Sequence, residues 1–169
     1  MLRLLSRIGS ILLIHQNLYQ NKDLGNIEFK QFLLGLSKQV SNLYKSNNSM
    51  LELSLMQNEI FIDIDTAVSL GLIVNELITN TYKHAFVGTN HIKAGIDLVS
   101  TEKGNYQLTY YDSGPGLQKI PDFKQSKTLG LHLIGVLSKQ LAGEAIYKNE
   151  QGSTFIINFK DAAGRQKEY

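Results

Sequence analysis

One stretch of the sequence, NELITNTYKHAF at residues 75–86, carries polar side chains at a spacing that could support chemistry. In a helix, a rotation of about 100° per residue places Glu76, Asn80, Lys83 and His84 on one face, while the opposite face is largely apolar. A carboxylate, an amide and two basic side chains suit acid–base chemistry or the binding of a charged ligand. For this stripe taken alone, a solvated helix face is the more common interpretation.

A second stretch, YYDSGPGL at 110–117, ends a predicted strand with a carboxylate and follows it with glycines. A buried carboxylate at Asp112 could accept a hydrogen bond from an exocyclic amine such as that of adenine. Gly114 and Gly116 would let a planar base approach the backbone closely. An ordinary turn has the same composition, so this motif is weak by itself.

Two further segments carry weaker signals. SKTLGLHLIG at 126–135 predicts a helix that Ser126 or Thr128 could cap, with Gly130 in a first turn whose free N–H groups suit phosphate. QGSTFIINF brings Thr154 to the start of a terminal strand. An ordinary capped helix and a plain hairpin strand are the alternatives.

Taken in chain order, these four segments resemble the N, G1, G2 and final boxes of the ATPase superfamily that includes DNA gyrase, heat-shock chaperones and sensor histidine kinases. IDTAVSLGLIVNELITNTYKHAF, DSGPGL and KTLGLHLI are similar to the catalytic domain of two-component sensor histidine kinases, in the subgroup with a very short lid. RIGSILLIHQNLYQ and IEFKQFLLGL resemble the segment that joins the dimerisation hairpin to that domain. The resemblance covers nearly the whole chain. It implies a kinase domain that transfers the γ-phosphate of ATP to a histidine, for relay to a response regulator.

The resemblance also implies roles for the residues of the long helix. Asn80 matches the asparagine that coordinates Mg²⁺, and Lys83 and His84 match positions that face the phosphates. Glu76 matches the general base of the superfamily's ATPases, and in a kinase it would orient the phosphoacceptor or polarise a metal-bound water.

The remaining positions are implied to hold the nucleotide. Asp112 would bind the adenine amine, with Thr154 near the base. The base pocket and the phosphate or lid contacts would come from Gly114, Gly116, Leu117, Thr128, Leu129, Gly130 and Leu131.

The sequence departs from the family pattern in two respects. The G2 box has a single glycine and the lid is only residues 117–127, so we expect weak nucleotide affinity. None of His15, His84, His91 and His132 resembles a phosphoacceptor motif. We therefore expect the acceptor on a histidine-bearing dimerisation helix elsewhere in the protein or in trans.

The elements that must position these residues follow from periodicity. Apolar spacing predicts helices, alternation predicts strands, and turn residues separate them. We predict a helix within 1–20, a helix over 28–45, a hairpin of 51–57 and 59–64, a helix from Thr66 to about Phe86 capped by Asp65, an antiparallel pair of 92–100 and 106–112, a helix over 128–143 ending at Gly143, and two closing strands in EAIYKN and STFIINFK.

This order favours an α+β two-layer sandwich, in which one mixed, mostly antiparallel sheet is covered on one face by helices. The resemblance implies the same Bergerat-type ATP-binding fold. We predict a remnant of the dimerisation region at 1–24, with its helix from the dimerisation hairpin, the kinase domain at 25–160 and a flexible tail at 161–169.

Composition limits the other function classes. The chain has 169 residues, 43% of them hydrophobic, with a net charge of +2 and no cysteine. Disulfides and thiolate metal sites are excluded, and no basic run suggests nucleic acid. The apolar runs at the N-terminus are too short and interrupted for a signal peptide or a membrane span. We expect a soluble, cytoplasmic domain of a homodimeric protein, without membrane contact by this segment.

Two alternatives remain open at this level. The chain could be an ATP-hydrolysing switch that uses Glu76 as base, or a non-catalytic nucleotide-binding or partner-binding module.

Overall fold

The computed structural model describes residues 26–44, 50–55, 58–102, 104–126 and 128–165. The helix predicted within 1–20 and the segment 1–24 lie outside these residues. In chain order the elements are β1 Ile27–Glu28, α1 Phe29–Tyr44, β2 Met50–Leu55, β3 Phe61–Ile62, α2 Ile64–His84, β4 His91–Glu102, β5 Asn105–Asp112, α3 Leu129–Gln140, β6 Glu144–Asn149, β7 Ser153–Lys160 and α4 Ala162–Arg165.

Five strands form one sheet in the order β2-β4-β5-β7-β6, and β1 pairs with β3 in a separate two-stranded ladder. Only β2 and β4 run parallel in the five-stranded sheet, and the other neighbours are antiparallel. The predicted mixed, mostly antiparallel sheet is therefore confirmed, as is the antiparallel pair β4–β5.

The predicted hairpin of 51–57 and 59–64 is wrong. Strand β2 pairs with β4, from Met50 opposite His91 to Leu55 opposite Ile96, whereas β3 pairs with β1. Alternation of apolar and polar residues identifies a strand but not its partner. The partner is decided by where each apolar face is buried.

One face of the sheet carries the core. Alternate residues of the three central strands are buried, and the register places them on the same face. These residues are Ala94, Ile96 and Leu98 of β4, Leu108 and Tyr110 of β5, and Phe155, Ile157 and Phe159 of β7. Helix α2 contacts both α1 and α3, and the three helices cover this face. The two-layer α+β sandwich is confirmed.

Helix α2 begins two residues earlier than predicted. Its N-cap is Asp63, not Asp65, because the Asp63 carboxylate accepts hydrogen bonds from the Thr66 backbone N–H over 3.0 Å and from the Thr66 hydroxyl over 2.6 Å. The helix ends at His84, where Lys83 and His84 in the last turn suit the negative end of the helix dipole.

Helix α3 also ends earlier than predicted. It stops at Gln140, and the chain then turns through Ala142 at a φ of 52° before Gly143 donates to the Ser138 carbonyl over 3.0 Å. A Cβ at Gly143 would lie 1.8 Å from the Asn158 carbonyl oxygen, so glycine permits the close contact with β7.

The C-terminal segment was predicted to be a flexible tail. As far as Arg165 it instead forms α4, a short helix that contacts β7. The Arg165 guanidinium donates to the Lys160 carbonyl over 2.6 Å and to the Thr66 hydroxyl over 3.2 Å, and it lies 3.8 Å from Asp63. These tertiary contacts fix a segment whose sequence is too short and polar to form a helix alone.

Candidate functional site

A cavity of about 280 Å³ opens beside the second half of α2, bounded by β5, β7, the segment after β5 and the first turn of α3. Most of the residues predicted for the site line it. They are Glu76, Asn80, Lys83, His84, Asp112, Gly116, Leu117, Thr128, Leu129, Gly130 and Leu131. Segments far apart in the sequence therefore meet at one place.

Two predicted residues lie off the cavity wall. Gly114 packs against the end of α2, where a Cβ would lie 2.5 Å from the Ala85 Cβ. It therefore contacts a residue of the cavity wall without lining the cavity itself. Thr154 does not line the cavity, whereas its neighbours Ser153 and Phe155 do. Successive side chains of a strand point to opposite faces, and the burial pattern of β7 shows that Ser153 and Phe155 share the core face.

Sequence analysis missed six lining residues. They are Leu77, Thr79, Ala85, Pro115, Ser153 and Phe155. The alternation in STFIINF contained the signal for Ser153 and Phe155, since both align with the buried residues Ile157 and Phe159 of the same strand. His91 and His132, the other described histidines, do not line the cavity.

The polar face of α2 changes from buried to exposed along its length. The Glu76 side chain belongs to a residue that is only 6% exposed, Asn80 is half-buried one turn later, and Lys83 and His84 are exposed. A solvated helix face does not bury a carboxylate in this way. The arrangement places an acid deep in the cavity and positive charge near its mouth.

Helix α1 contributes to the same polar region. Burial raises the pKa of the Tyr44 hydroxyl, a hydrogen bond with Thr79 opposes that rise, and the negative charge of Glu76 adds to it. The Tyr44 ring stacks on Tyr82 of α2 with 4.8 Å between the ring centroids. The negative charge of Glu76 on α2 therefore affects the Tyr44 hydroxyl on α1.

Asp112 is held at the end of β5 by two hydrogen bonds. It is 7% exposed, and its Oδ1 accepts from the Gly114 N–H over 2.9 Å while its Oδ2 accepts from the Thr81 hydroxyl over 2.9 Å. Across the ladder it faces Ser153. Gly152 has a φ of 139°, and a Cβ there would lie 2.0 Å from the Asp112 carbonyl oxygen, so a glycine is needed where the β6–β7 turn meets this strand.

The segment that follows Asp112 is anchored to β6. The Leu117 N–H donates to the Tyr147 hydroxyl over 2.6 Å, and the Asn149 side chain donates to the Leu117 carbonyl over 3.4 Å. Gly116 has a φ of 72°, and a Cβ there would meet the Asn149 side chain at 2.6 Å. The short lid therefore leaves the sheet in a defined direction.

The middle of the lid is fixed by an aromatic residue. Phe123 packs on α3 at Gly135, where a Cβ would lie 2.7 Å from the Phe123 carbonyl oxygen. Its ring meets the ring of Phe155 edge-on, with 6.4 Å between centroids. The lid thus packs on the cavity wall at Phe155.

The first turn of α3 lines the cavity from Thr128 to Leu131. Thr128 occupies the N-cap position without making a side-chain capping bond, and its hydroxyl lies 3.1 Å from the Ser126 hydroxyl. The first N–H groups of a helix have no partner inside the helix, so those of Leu129, Gly130 and Leu131 can donate to an anion.

These groups fit a ligand that has a hydrogen-bond donor at one end and negative charge at the other. The end at Asp112 offers a carboxylate to a hydrogen-bond donor, while the end at Lys83, His84 and the α3 N-terminus suits negative charge. Within the described residues no group of three or more acidic or histidine side chains could hold a metal ion.

Comparison with known proteins agrees with this geometry. The family described as histidine kinase-, DNA gyrase B- and HSP90-like ATPase matches residues 65–163, and a second family, described as histidine kinase, matches residues 1–44. The chain belongs to the family of histidine kinase-, DNA gyrase B- and HSP90-like ATPases.

Individual relatives are distant in sequence. Blue-light-activated histidine kinase 2 of Erythrobacter litoralis (strain HTCC2594) is 24% identical over 160 residues, which cover 90% of this chain and 45% of the relative. The chain thus spans less than half the length of that relative.

Solved structures share the fold. The histidine kinase domain of the blue-light activated kinase from Erythrobacter litoralis EL346 has a TM-score of 0.77 at 18% identity, covering 95% of this chain and 80% of that one. The ATP binding domain of PrrB from Mycobacterium tuberculosis has a TM-score of 0.61 at 18% identity, with 83% and 98% covered. At these identities the likeness establishes the fold.

Among the helices of the described residues, none combines the length and the apolar character that crossing a bilayer requires.

Proposed function

We propose that this chain contains the ATP-binding kinase domain of a sensor histidine kinase, over about residues 25–160, preceded at 1–24 by part of a dimerisation region. It transfers the γ-phosphate of ATP to a histidine on a dimerisation helix, in the same protein or in trans. The observation that carries the proposal is the single cavity that joins Asp112 at one end to Asn80, Lys83 and His84 at the other.

The two ends of the cavity suggest how the nucleotide lies. Asp112 accepts the adenine 6-amino group, with Gly116, Ser153 and Phe155 around the base. The phosphates extend toward Lys83, His84 and the first turn of α3, where the Lys83 ammonium and helix N–H groups offset their charge.

The amide and the carboxylate of α2 act where the phosphates end. Asn80 would hold Mg²⁺, an ion that usually keeps phosphate and water oxygens as its remaining ligands. Bound Mg²⁺ neutralises phosphate charge. Glu76, deeper in the cavity, orients the attacking imidazole or a water. Catalysis then rests mainly on positioning and charge neutralisation.

Partners and location follow from this role. The histidine passes its phosphate to a response regulator, the kinase acts as a homodimer, and the domain works in the cytoplasm. The family match over residues 1–44 supports the dimerisation-type region.

The proposal is tested by titrating the chain with ATP by calorimetry, with and without Mg²⁺. We expect saturable binding that Mg²⁺ strengthens, and loss of the Mg²⁺ effect in Asn80→Ala. Asn90→Ala is the matched control, because Asn90 is an exposed asparagine that does not line the cavity. Phosphotransfer from ATP to a histidine-bearing helix supplied in trans should follow the same pattern. Absence of ATP binding by the wild-type chain, or Asn80→Ala with an unchanged Mg²⁺ effect, would contradict the proposal.

A second candidate is an ATPase switch, because Glu76 is buried in the cavity one turn before Asn80. In that case water replaces the histidine as acceptor and Glu76 is its general base. Steady phosphate release without any acceptor, abolished in Glu76→Gln, would favour the switch. Release that stays at background while phosphotransfer proceeds would favour the kinase. A non-catalytic binding module would show neither.

A further inference from the structure

We propose that Tyr110 and Thr81 are positioning residues that aim the Asp112 carboxylate at the adenine 6-amino group, and so set the preference of the site for ATP. The inference rests on the proposed function. Tyr110 and Thr81 do not line the cavity themselves. They act on the nucleotide only through Asp112.

The three side chains form a directed series of hydrogen bonds. The Tyr110 and Thr81 hydroxyl oxygens are 2.6 Å apart, and Thr81 donates to Asp112 Oδ2 over 2.9 Å. A threonine hydroxyl has one hydrogen, and an ionised carboxylate has none to give. Thr81 therefore donates to Asp112 and must accept from Tyr110.

Burial keeps this direction fixed. Tyr110 is 0% exposed and Thr81 is 1% exposed, so water does not compete for either hydroxyl. Burial raises the pKa of Tyr110, the hydrogen bond with Thr81 opposes the rise, and the charge of Asp112 adds to it. The phenol therefore stays protonated and remains a donor.

The series fixes the plane of the carboxylate. Thr81 holds Oδ2 while the Gly114 N–H holds Oδ1, so the group cannot rotate without losing a charge-assisted bond. Each carboxylate oxygen can accept about two hydrogen bonds, so acceptor capacity is left for a donor in the cavity. A carboxylate fixed before binding avoids the ordering cost that a mobile one incurs.

The position of Thr81 supports a role for its hydroxyl. The residue lies on the largely apolar side of α2, against β5, where an aliphatic residue would meet the needs of packing. Valine has nearly the same shape but would leave the Tyr110 hydroxyl without its partner.

The test compares ATP with purine riboside triphosphate, which lacks the 6-amino group. Both affinities are measured by calorimetry for the wild type, Thr81→Val, Thr81→Ser and Asp112→Asn, with thermal melting as a check on folding. We expect Thr81→Val to weaken ATP binding about fivefold, because an Asp112 carboxylate without this bond must be ordered when ATP binds, and to leave the affinity for purine riboside triphosphate unchanged. Thr81→Ser keeps the hydroxyl and should keep the preference.

A general packing defect would weaken both nucleotides together, so it cannot mimic the selective loss. If Thr81→Val keeps the wild-type preference while Asp112→Asn abolishes it, the inference is overturned and the proposed function stands. If the wild type shows no preference for ATP over purine riboside triphosphate, the inference is overturned together with the proposed contact between Asp112 and adenine.

Tyr110→Phe provides the same test should Thr81→Val not fold. It removes the donor to Thr81 and keeps the ring in the core. We expect a smaller but selective loss of ATP affinity, of about threefold, because Thr81 still reaches Asp112. An unchanged preference in this variant would also overturn the inference.

Discussion

Asp63 and Asp112 each accept one hydrogen bond from a threonine hydroxyl and another from a backbone N–H. The two carboxylates differ in the further protein groups that surround them. Asp63 accepts a further bond from the Ala162 N–H over 3.0 Å, and the Arg165 guanidinium lies 3.8 Å away, so protein groups surround its carboxylate.

Among the described residues, Asp112 has two donors, the Thr81 hydroxyl and the Gly114 N–H, and it lies on the wall of a cavity. A carboxylate surrounded by protein donors stabilises the fold, whereas one with spare acceptor capacity beside a cavity is poised for a ligand. The comparison predicts that changes near Asp63 alter stability without affecting nucleotide affinity, whereas changes near Asp112 alter nucleotide affinity.

The largest effect on stability is expected for Asp63→Ala. The variant loses the N-cap of α2 and leaves Arg165 without its carboxylate, so we expect the free energy of unfolding to fall by about 2 kcal/mol. Urea denaturation measures this loss, and calorimetry checks the ATP affinity of the folded variant. A loss of ATP affinity that matches the loss of stability would contradict the distinction between the two aspartates.

The same carboxylate predicts a pH dependence. Burial alone raises the pKa of Asp63, but hydrogen bonds from Thr66 and Ala162 and the charge of Arg165 together lower it below its usual value. The stability it contributes is therefore fully present above the ordinary aspartate pKa and is lost as the pH falls through the lowered one.

Urea denaturation from neutral to acid pH should show wild type and Asp63→Asn converging at the acid end. Asn keeps the capping function but has no charge to titrate. A stability difference that stays constant down to the lowest pH would contradict the assignment.

Arg165→Met should have a smaller effect. The methionine keeps part of the apolar volume and removes the hydrogen bonds to Thr66 and Lys160, which we expect to cost about 1 kcal/mol. Lys148→Met is the control, since Lys148 is an exposed basic residue whose ion pair with Glu150 spans 3.8 Å at the surface. Equal losses in the two variants would show that α4 does not secure α2.

The smallest effect concerns two neighbouring residues of β7. Ser153 lines the cavity opposite Asp112 and Thr154 does not, so Ser153→Ala should weaken ATP about threefold, for one neutral hydrogen bond. Thr154→Ala should leave ATP affinity unchanged. A loss in Thr154→Ala alone would place the nucleotide on the other face of the strand.

Much of the site was accessible from sequence because it depends on local patterns. The helical spacing of Glu76, Asn80 and Lys83 predicts a shared face, and Asp112 followed by glycines predicts a strand end. The structure brings these together at one cavity. The α+β sandwich followed from the order of helices and strand pairs.

The errors concern choices that only tertiary contacts decide. Asp63 and Asp65 both satisfy the capping rule, and the bond from the distant Ala162 N–H favours Asp63. Strand β2 finds a parallel partner in β4, about forty residues later, which no local pattern specifies. The helical turn at Ala162–Arg165 likewise depends on contacts with residues almost a hundred positions earlier.

The central claim is that Asp112, unlike Asp63, is kept available for the base of ATP. The most direct measurement is the ATP affinity of Asp112→Asn beside that of Asp97→Asn, a matched change at an exposed aspartate of β4. We predict that Asp112→Asn binds ATP at least about tenfold more weakly, because a bond to a charged acceptor is lost, and that Asp97→Asn binds like the wild type. Equal ATP affinity in the two variants would contradict the account.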